Sequence, residues 1–330
     1  MSGDQPQALP VRGQPLAVCV LGGSGFVGSR LAAHLCGLDH RVIIPTRSLV
    51  HHRHLQVLPN ARAIQADVHD DNTLRQLLRN CDVAINLIGI LNEPGRDGVG
   101  FRHAHVSLTE QLVAAAESAG VGKLVHLSAL NANAESAPSH YLRSKGQAER
   151  IVAAQTAVAW TVLQPSVIFG PGDSFINRFA ALLRRIPLFF PLARPDCRFA
   201  PVHVDDVVAA ITRAVTDPAT NGRTFQICGN EVYSLRELVL MTAAGIGVRR
   251  WVVGLPDGLA RLQAILMEFF PGKPFSLDNY RSLTVNSVCT ERGLEELGIQ
   301  ARSLELNLRS CLGGRRSRAA LDTYRQAAGR

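Results

Sequence analysis

The sequence is poor in several things that would otherwise decide its class. No run of eighteen apolar residues occurs, so no segment reads as a membrane-spanning helix. The first 15 residues hold Asp4, three prolines and no apolar block, which fits neither a signal peptide nor an Arg-rich, acid-poor transit peptide. Lysine is scarce, three residues against 32 arginines, a bias of GC-rich genomes. There is no Cys-x-x-Cys. The seven cysteines (19, 36, 81, 197, 228, 289 and 311) are scattered and odd in number, so reduced, mostly buried thiols in a reducing compartment are expected. Repeats and low-complexity tracts are absent. No nucleic-acid motif accompanies the formal charge of +8, which therefore points to an anionic cofactor, an acidic partner or an anionic lipid surface rather than to nucleic acid. The expected setting is a bacterial cytoplasm, with room for a position peripheral to the inner membrane.

What is present is an alternation. Short apolar runs at 16–21, 41–45, 63–66, 83–88, 123–127 and 160–164 read as buried strands. Helical spacing separates them at 25–35, 72–78, 103–119 and 139–154. Repeated βα units of this kind predict a doubly wound parallel sheet, a Rossmann-type α/β fold. After Gly170 the pattern loosens into Gly- and Pro-rich stretches, although 205–215 and 234–244 still look helical and 224–228 strand-like. The expected organisation is a nucleotide-binding domain over 1–167, rejoined by 201–232. A small C-terminal α/β lobe would be built from 168–200 and 233–330.

The first strand ends in "LGGSGFVG", a Gly-x-x-Gly-x-x-Gly spacing that opens a helix. Gly22 permits the tight turn, Gly25 lets main chain approach a pyrophosphate, and Gly28 lets helix and strand pack closely. Together with Ser24, Phe26 and Val27 they form the expected cofactor-binding turn. The second strand runs into "IIPTRSLVHHRH", and no acid occurs between His40 and Gln65 to take the ribose hydroxyls. Thr46 and Arg47 stand there instead, with Arg53 nearby, and a guanidinium suits a 2′-phosphate. The reading is NADP(H) in preference to NAD(H). His51, His52 and His54 lack a carboxylate or cysteine partner, so no metal site is expected. Asp67 and Val68 end the third strand and Asn86 and Gly89 the fourth, where they would meet adenine and ribose; helix capping is the plainer role for Asp67.

"HYLRSKGQAER" places Tyr141 and Lys145 four residues apart on one helix face. A neighbouring ammonium lowers a phenol's pKa, so Tyr141 is a candidate general acid/base and Lys145 its tuner and ribose holder. Ser128, ending the fifth strand, is the candidate carbonyl polariser. With "GGSGFVG", "NLIG", "LQPSVIFGPGD" and "PVHVDDVVAAI", these residues resemble the extended short-chain dehydrogenase/reductase family over nearly the whole chain. The resemblance implies that the main chain at Pro165 and Val167 faces the nicotinamide, and that His203 and Asp205 are structural. More narrowly, "LSALNANAES", "FGPGDSFINRFA" and "RGLEELGIQARSLEL" resemble the NADPH-binding accessory subunit of respiratory complex I, alpha-subcomplex subunit nine, and its bacterial relatives. That likeness implies a tightly held NADPH in a subunit peripheral to a membrane complex. Ala129 stands where family enzymes often carry a second hydroxyl, and the connection 129–140 is short for a sugar-nucleotide pocket. Cofactor holding and turnover on an apolar, isoprenoid- or quinone-like carbonyl both remain open, with sugar-nucleotide epimerase or dehydratase as a further alternative. The relatives' habits allow a monomer or a dimer.

In the C-terminal lobe, Leu259, Leu262, Ile265, Leu266 and Phe269 share one helical face, widened by Met267 and Phe270. The face either packs onto its own lobe or forms an interfacial or partner-binding surface flanked by Arg249, Arg250, Trp251 and Arg261. The tail 313–330 is basic apart from Asp322, a pattern of solvated charge.

Overall fold

The run Ala17–Leu21 is buried at every position, as a strand covered on both faces must be. It begins a computed structural model that describes residues 14–270 and 273–312. Residues 1–13 and the basic tail 313–330 lie outside the described residues. In chain order the first half comprises β1 (Ala17–Leu21), α1 (Phe26–Gly37), β2 (Arg41–Thr46), β3 (Ala61–Gln65), α2 (Asp71–Leu78), β4 (Val83–Asn86), α3 (Val99–Phe101), α4 (Leu108–Ala119), β5 (Lys123–Leu127), α5 (His140–Ala154) and β6 (Ala159–Pro165). Then follow β7 (Ile168–Phe169), α6 (Ile176–Arg185), β8 (Phe189–Ala193), β9 (Arg198–Phe199), β10 (Val202–His203), α7 (Val204–Thr216), β11 (Arg223–Ile227), β12 (Tyr233–Ser234), α8 (Leu235–Gly245), β13 (Trp251–Leu255), α9 (Asp257–Met267), α10 (Leu277–Ser282), α11 (Gly293–Glu296) and α12 (Leu304–Cys311).

Seven strands form one parallel sheet in the order β11-β6-β5-β4-β1-β2-β3. The order reverses between β1 and β4, and a ligand crevice opens where strand order reverses, beyond the carboxyl ends of the strands. One apolar layer packs Leu31 and Leu35 of α1 and Val207 and Ile211 of α7 against the sheet. The opposite layer uses Leu74 and Leu78 of α2 and Leu108 and Leu112 of α4. This is the expected doubly wound α/β architecture. The helix expected over 103–119 is interrupted: α3 passes into a π-helical stretch, Arg102–Ser107, before α4. The widened turn admits one extra residue and re-aims His105, a device common at functional sites.

The remaining elements gather around a separate core that includes Leu183 of α6, Phe190 of β8, Leu238 of α8 and Leu308 of α12. Helix α9 lies against β8, where Gln263 Nε2 donates to the Pro191 carbonyl at 3.1 Å. The cysteine expectation needs one correction. Cys228 and Cys289 form a disulfide, their Cα atoms 6.0 Å apart, while the other five thiols are free and buried. The two partners are 61 residues apart in sequence, and only folding brings the end of β11 beside the segment after α10.

Candidate functional site

The glycine turn adopts the geometry its spacing implies. Gly22 has φ +77°, a left-handed value that disfavours a side chain. A Cβ on Gly28 would lie 2.2 Å from the Gly22 carbonyl oxygen and 2.5 Å from Gly23 Cα, so only glycine lets α1 start this close to the end of β1. Gly25 is the N-cap of α1 and provides no side-chain hydrogen bond. The first-turn amides of a helix without a side-chain cap make a ready anion site.

Beside this turn opens a cleft of about 450 Å³ with predominantly apolar walls. It brings together Gly22, Gly25, Phe26, Val27, Gly28, Gly89, Ser128, Tyr141, Lys145, Pro165 and Val167 of the expected residues. The others lie outside its walls. Ser24 sits within the turn. Thr46 is buried at the end of β2, its hydroxyl within 3.4 Å of the Ser48 amide, and Arg47 beside it is exposed. Asp67 is exposed at the end of β3 and accepts from the His69 amide at 3.0 Å, with Val68 following. The helix cap is Asp70, not Asp67: its carboxylate accepts from the Thr73 amide at 2.7 Å. The Asn86 side chain turns inward. Its amide nitrogen reaches Thr109 Oγ1 (3.4 Å) and His126 Nδ1 (3.3 Å), and its oxygen accepts from the Ile88 amide (3.1 Å). Asn86 therefore shapes the turn after β4 and does not reach into the cleft.

Tyr141 and Lys145 do share the buried face of α5, but not with the expected electrostatics. Lys145 Nζ donates to the main-chain carbonyls of Leu127 (3.0 Å) and Ile88 (3.4 Å). Burial pushes its pKa down to about 8 against the opposing pull of Glu149. Burial also pushes the Tyr141 phenol up to about 12. The ammonium was expected to lower the phenol; desolvation of the phenolate decides instead. Ser128 Oγ is buried without a hydrogen bond of good geometry; it lies near Glu149, whose carboxyl burial pushes up against the opposing pull of Ser128, Gln164 and Lys145. A buried hydroxyl on a cleft wall, without a well-formed hydrogen bond, is able to meet an incoming oxygen.

Three residues important to this geometry carried no recognisable pattern in the sequence. His105 Nε2 accepts from the Ile90 amide at 3.1 Å, which places its proton on Nδ1, 2.8 Å from Ser144 Oγ. Ser144 passes its own hydroxyl hydrogen to the Tyr141 carbonyl at 2.8 Å. Burial and the nearby Lys145 push the His105 pKa down to about 2, so this link between the β4 turn and α5 stays neutral. Glu149 accepts from Gln164 Nε2 with both oxygens at 2.9 Å, one turn beyond Lys145. Asp278 of α10 accepts from the amides of His140 (2.7 Å) and Tyr141 (3.1 Å), so the C-terminal lobe caps the helix that bears Tyr141. The pair His203 and Asp205 is structural: His203 caps α7, and Asp205 pairs with Arg30 (3.3 Å) and Arg302.

The model of the NAD dependent epimerase/dehydratase family matches residues 18–228, well over half of the chain. The chain belongs to that family. Among relatives of this family member, the mitochondrial protein NADH dehydrogenase (ubiquinone) 1 alpha subcomplex subunit 9 of Mus musculus is 32% identical, over 87% of this chain and 77% of the relative. Its Arabidopsis thaliana counterpart is 27% identical, over 85% of this chain and 72% of the relative. A 2-alkyl-3-oxoalkanoate reductase of Stenotrophomonas maltophilia is 26% identical, over 71% and 77% of the two chains. Among solved structures, UDP-glucose 4-epimerase of Thermus thermophilus in complex with NAD superposes with a TM-score of 0.69 at 19% identity, covering 90% of this chain and 98% of that one, a likeness of fold.

Proposed function

We propose that this family member holds NADP(H) in the manner of the complex I subunit 9 group, in a structural or regulatory role peripheral to a membrane-associated assembly. One observation carries the nucleotide choice: the end of β2, where a family member selective for NAD would place an acid, offers Thr46 and exposed Arg47. The glycine turn would take the pyrophosphate, Lys145 the ribose hydroxyls, and the main chain at Pro165 and Val167 the nicotinamide side. The place in an assembly is supported by the relatives that are NADH dehydrogenase subunits, and holding by the phenol, which at about 12 is a weak acid for turnover.

A second reading has its own support. The cleft is apolar and contains Ser128, Tyr141 and Lys145 together, the set a carbonyl reductase of this fold needs. A bound reduced nicotinamide supplies hydride. Ser128 would then donate to the substrate oxygen, Tyr141 would deliver the proton, and the apolar walls would exclude water and select an alkyl or isoprenoid-like carbonyl. A sugar-nucleotide substrate is less suited to these walls.

Both readings meet in one experiment. Titration with NADPH and NADH is expected to show NADPH favoured by about tenfold or more, and the preference to collapse in Arg47→Ala. Equal affinities, unchanged by the substitution, would remove the basis for NADP(H). The bound reduced cofactor is then challenged with alkyl and isoprenoid carbonyls. Absorbance of the reduced nicotinamide that persists under all of them supports holding; oxidation that stops in Tyr141→Phe supports reduction.

A further inference from the structure

Helix α9 is amphipathic with its sides exchanged. It packs onto its own lobe through Ala260 and Ala264, both 0% exposed, which join Tyr280 and Leu277 of α10 in a small cluster. Its large residues point the other way: Leu259, Leu262 and Leu266 are each at least half exposed, and Phe269 and Phe270, just beyond its end, are 74% and 61% exposed. At 100° per residue these five side chains fall within an arc of about 100°, roughly opposite the two alanines. None of the five side chains is polar, so the face itself donates and accepts no hydrogen bond. In water it is exposed apolar area that a soluble surface normally avoids.

The surroundings give the charge of what should cover it. Residues 176–193 and 249–270, which form α6, β8, β13, α9 and their margins, contain six arginines (178, 184, 185, 249, 250 and 261) and two acids, Asp257 and Glu268. Both acids are already paired with arginines from other segments, Asp257 with Arg194 at 3.4 Å and Glu268 with Arg96 at 2.5 Å. The Arg96 guanidinium also lies 5.2 Å from the centre of the Phe269 ring. On the β8–β13 ribbon, Phe189 and Trp251 expose a ring pair 5.1 Å apart, immediately after Arg249 and Arg250. Of the six, Arg178 and Arg250 donate to main-chain carbonyls and Arg261 lies 5.7 Å from the centre of the Tyr280 ring, while Arg184, Arg185 and Arg249 are exposed. Protruding aliphatic residues, exposed aromatics and exposed arginines are the combination an interfacial helix presents to anionic lipid. No described helix is long and apolar enough to cross a membrane, so the contact lies at the surface.

We infer that the outward face of α9, with the Phe189–Trp251 pair beside it, is a docking surface for an anionic lipid bilayer. The inference rests on the membrane-peripheral part of the function proposed above and identifies its partner chemistry. The apolar side chains enter the boundary between headgroups and acyl chains while the arginines meet lipid phosphates.

The test is flotation of the purified full chain with vesicles of phosphatidylglycerol and phosphatidylcholine, against vesicles of phosphatidylcholine alone. Binding to the anionic vesicles at low salt, weakened as salt rises, is expected. Leu266→Ser with Phe269→Ser should reduce partitioning by about tenfold or more. Arg249→Gln should reduce it about fivefold, and on anionic vesicles only. NADPH titration of the same variants without vesicles keeps the two readings apart: nucleotide binding that persists while lipid binding is lost shows a folded protein with its docking face removed. Absence of binding at low salt, or binding that the double variant does not change, overturns the inference. So does a concentration-dependent dimer, seen by sedimentation, that the double variant dissolves, because the face would then belong to a second copy of the chain.

Discussion

Replacing Lys145 by methionine should make the nucleotide-free protein more stable while ruining its hold on the cofactor. The ordinary pKa of lysine, 10.5, falls here to about 8, chiefly through burial. Each unit is worth about 1.4 kcal/mol of differential stability, so the buried charge costs the folded state about 3 kcal/mol below pH 8. Methionine, similar in length and uncharged, removes that cost. It also gives up two donated hydrogen bonds, to Leu127 at 3.0 Å and Ile88 at 3.4 Å, worth about 1 kcal/mol together. The net expectation near pH 7 is a gain of about 1–2 kcal/mol in urea unfolding. The sign of the pH dependence follows from proton counts. Between about 8 and 10.5 the folded wild type has released a proton that the unfolded chain still binds, so wild-type stability rises across that window, by up to about 1.4 kcal/mol per pH unit. The advantage of Lys145→Met should therefore be full below pH 8, fall to zero between about pH 9 and 9.5, and be reversed by 10.5, where only the lost hydrogen bonds still count. Lys123, also pushed down to about 8 by burial, is common to both proteins and cancels in the difference. NADPH affinity should fall by at least about tenfold, because the group proposed to meet the ribose is gone. A variant less stable than wild type near pH 7, or a difference that stays flat up to pH 10, would refute the assignment of a desolvated ammonium to this wall.

Three further outcomes follow from single contacts. Gly28→Ala puts a methyl 2.2 Å from the Gly22 carbonyl, so the turn must move, and calorimetry should show NADPH affinity lowered by at least about tenfold; unchanged affinity would mean the turn does not grip the nucleotide. Asp278→Asn weakens the cap on α5 and should cost about 1 kcal/mol in thermal unfolding, with Asp278→Ala costing more; if both melt like wild type, the lobe does not hold that helix. Reduction of Cys228–Cys289, or Cys228→Ser with Cys289→Ser, should lower stability by about 2–4 kcal/mol, and identical melting with and without reductant would show that the bond does not form in solution.

The centre of the sheet could be read in advance because β1, β4 and β5 are buried at every position and are therefore mostly apolar. Strand β1 and its glycine turn are the clearest case, since periodicity and turn chemistry agree within a few residues. What escaped was set by tertiary surroundings. The expected Tyr141–Lys145 pairing ignored how deeply the Tyr141 phenol and the Lys145 ammonium are buried, and desolvation outweighed the neighbouring charge. Cys228 and Cys289 are solitary in sequence and meet only through folding. The capping role of Asp278 depends on docking between segments about 137 residues apart. The arc of α9 was visible as a stripe, but whether it pointed inward depended on Ala260 and Ala264, small residues that hydropathy passes over. His105 was hidden because a π-turn shifts its phase within an otherwise ordinary helical pattern.

Helix α10 touches both ends of the molecule's chemistry. Its Tyr280 and Leu277 back the alanine side of α9, and its Asp278 caps the first turn of the helix that carries Tyr141. Six residues thus serve as the lever between an outward apolar ridge and the wall of the nucleotide crevice. If both proposed ligands bind, free-energy linkage makes any coupling through this helix symmetrical: whatever factor vesicles impose on NADPH affinity, NADPH must impose on vesicle affinity.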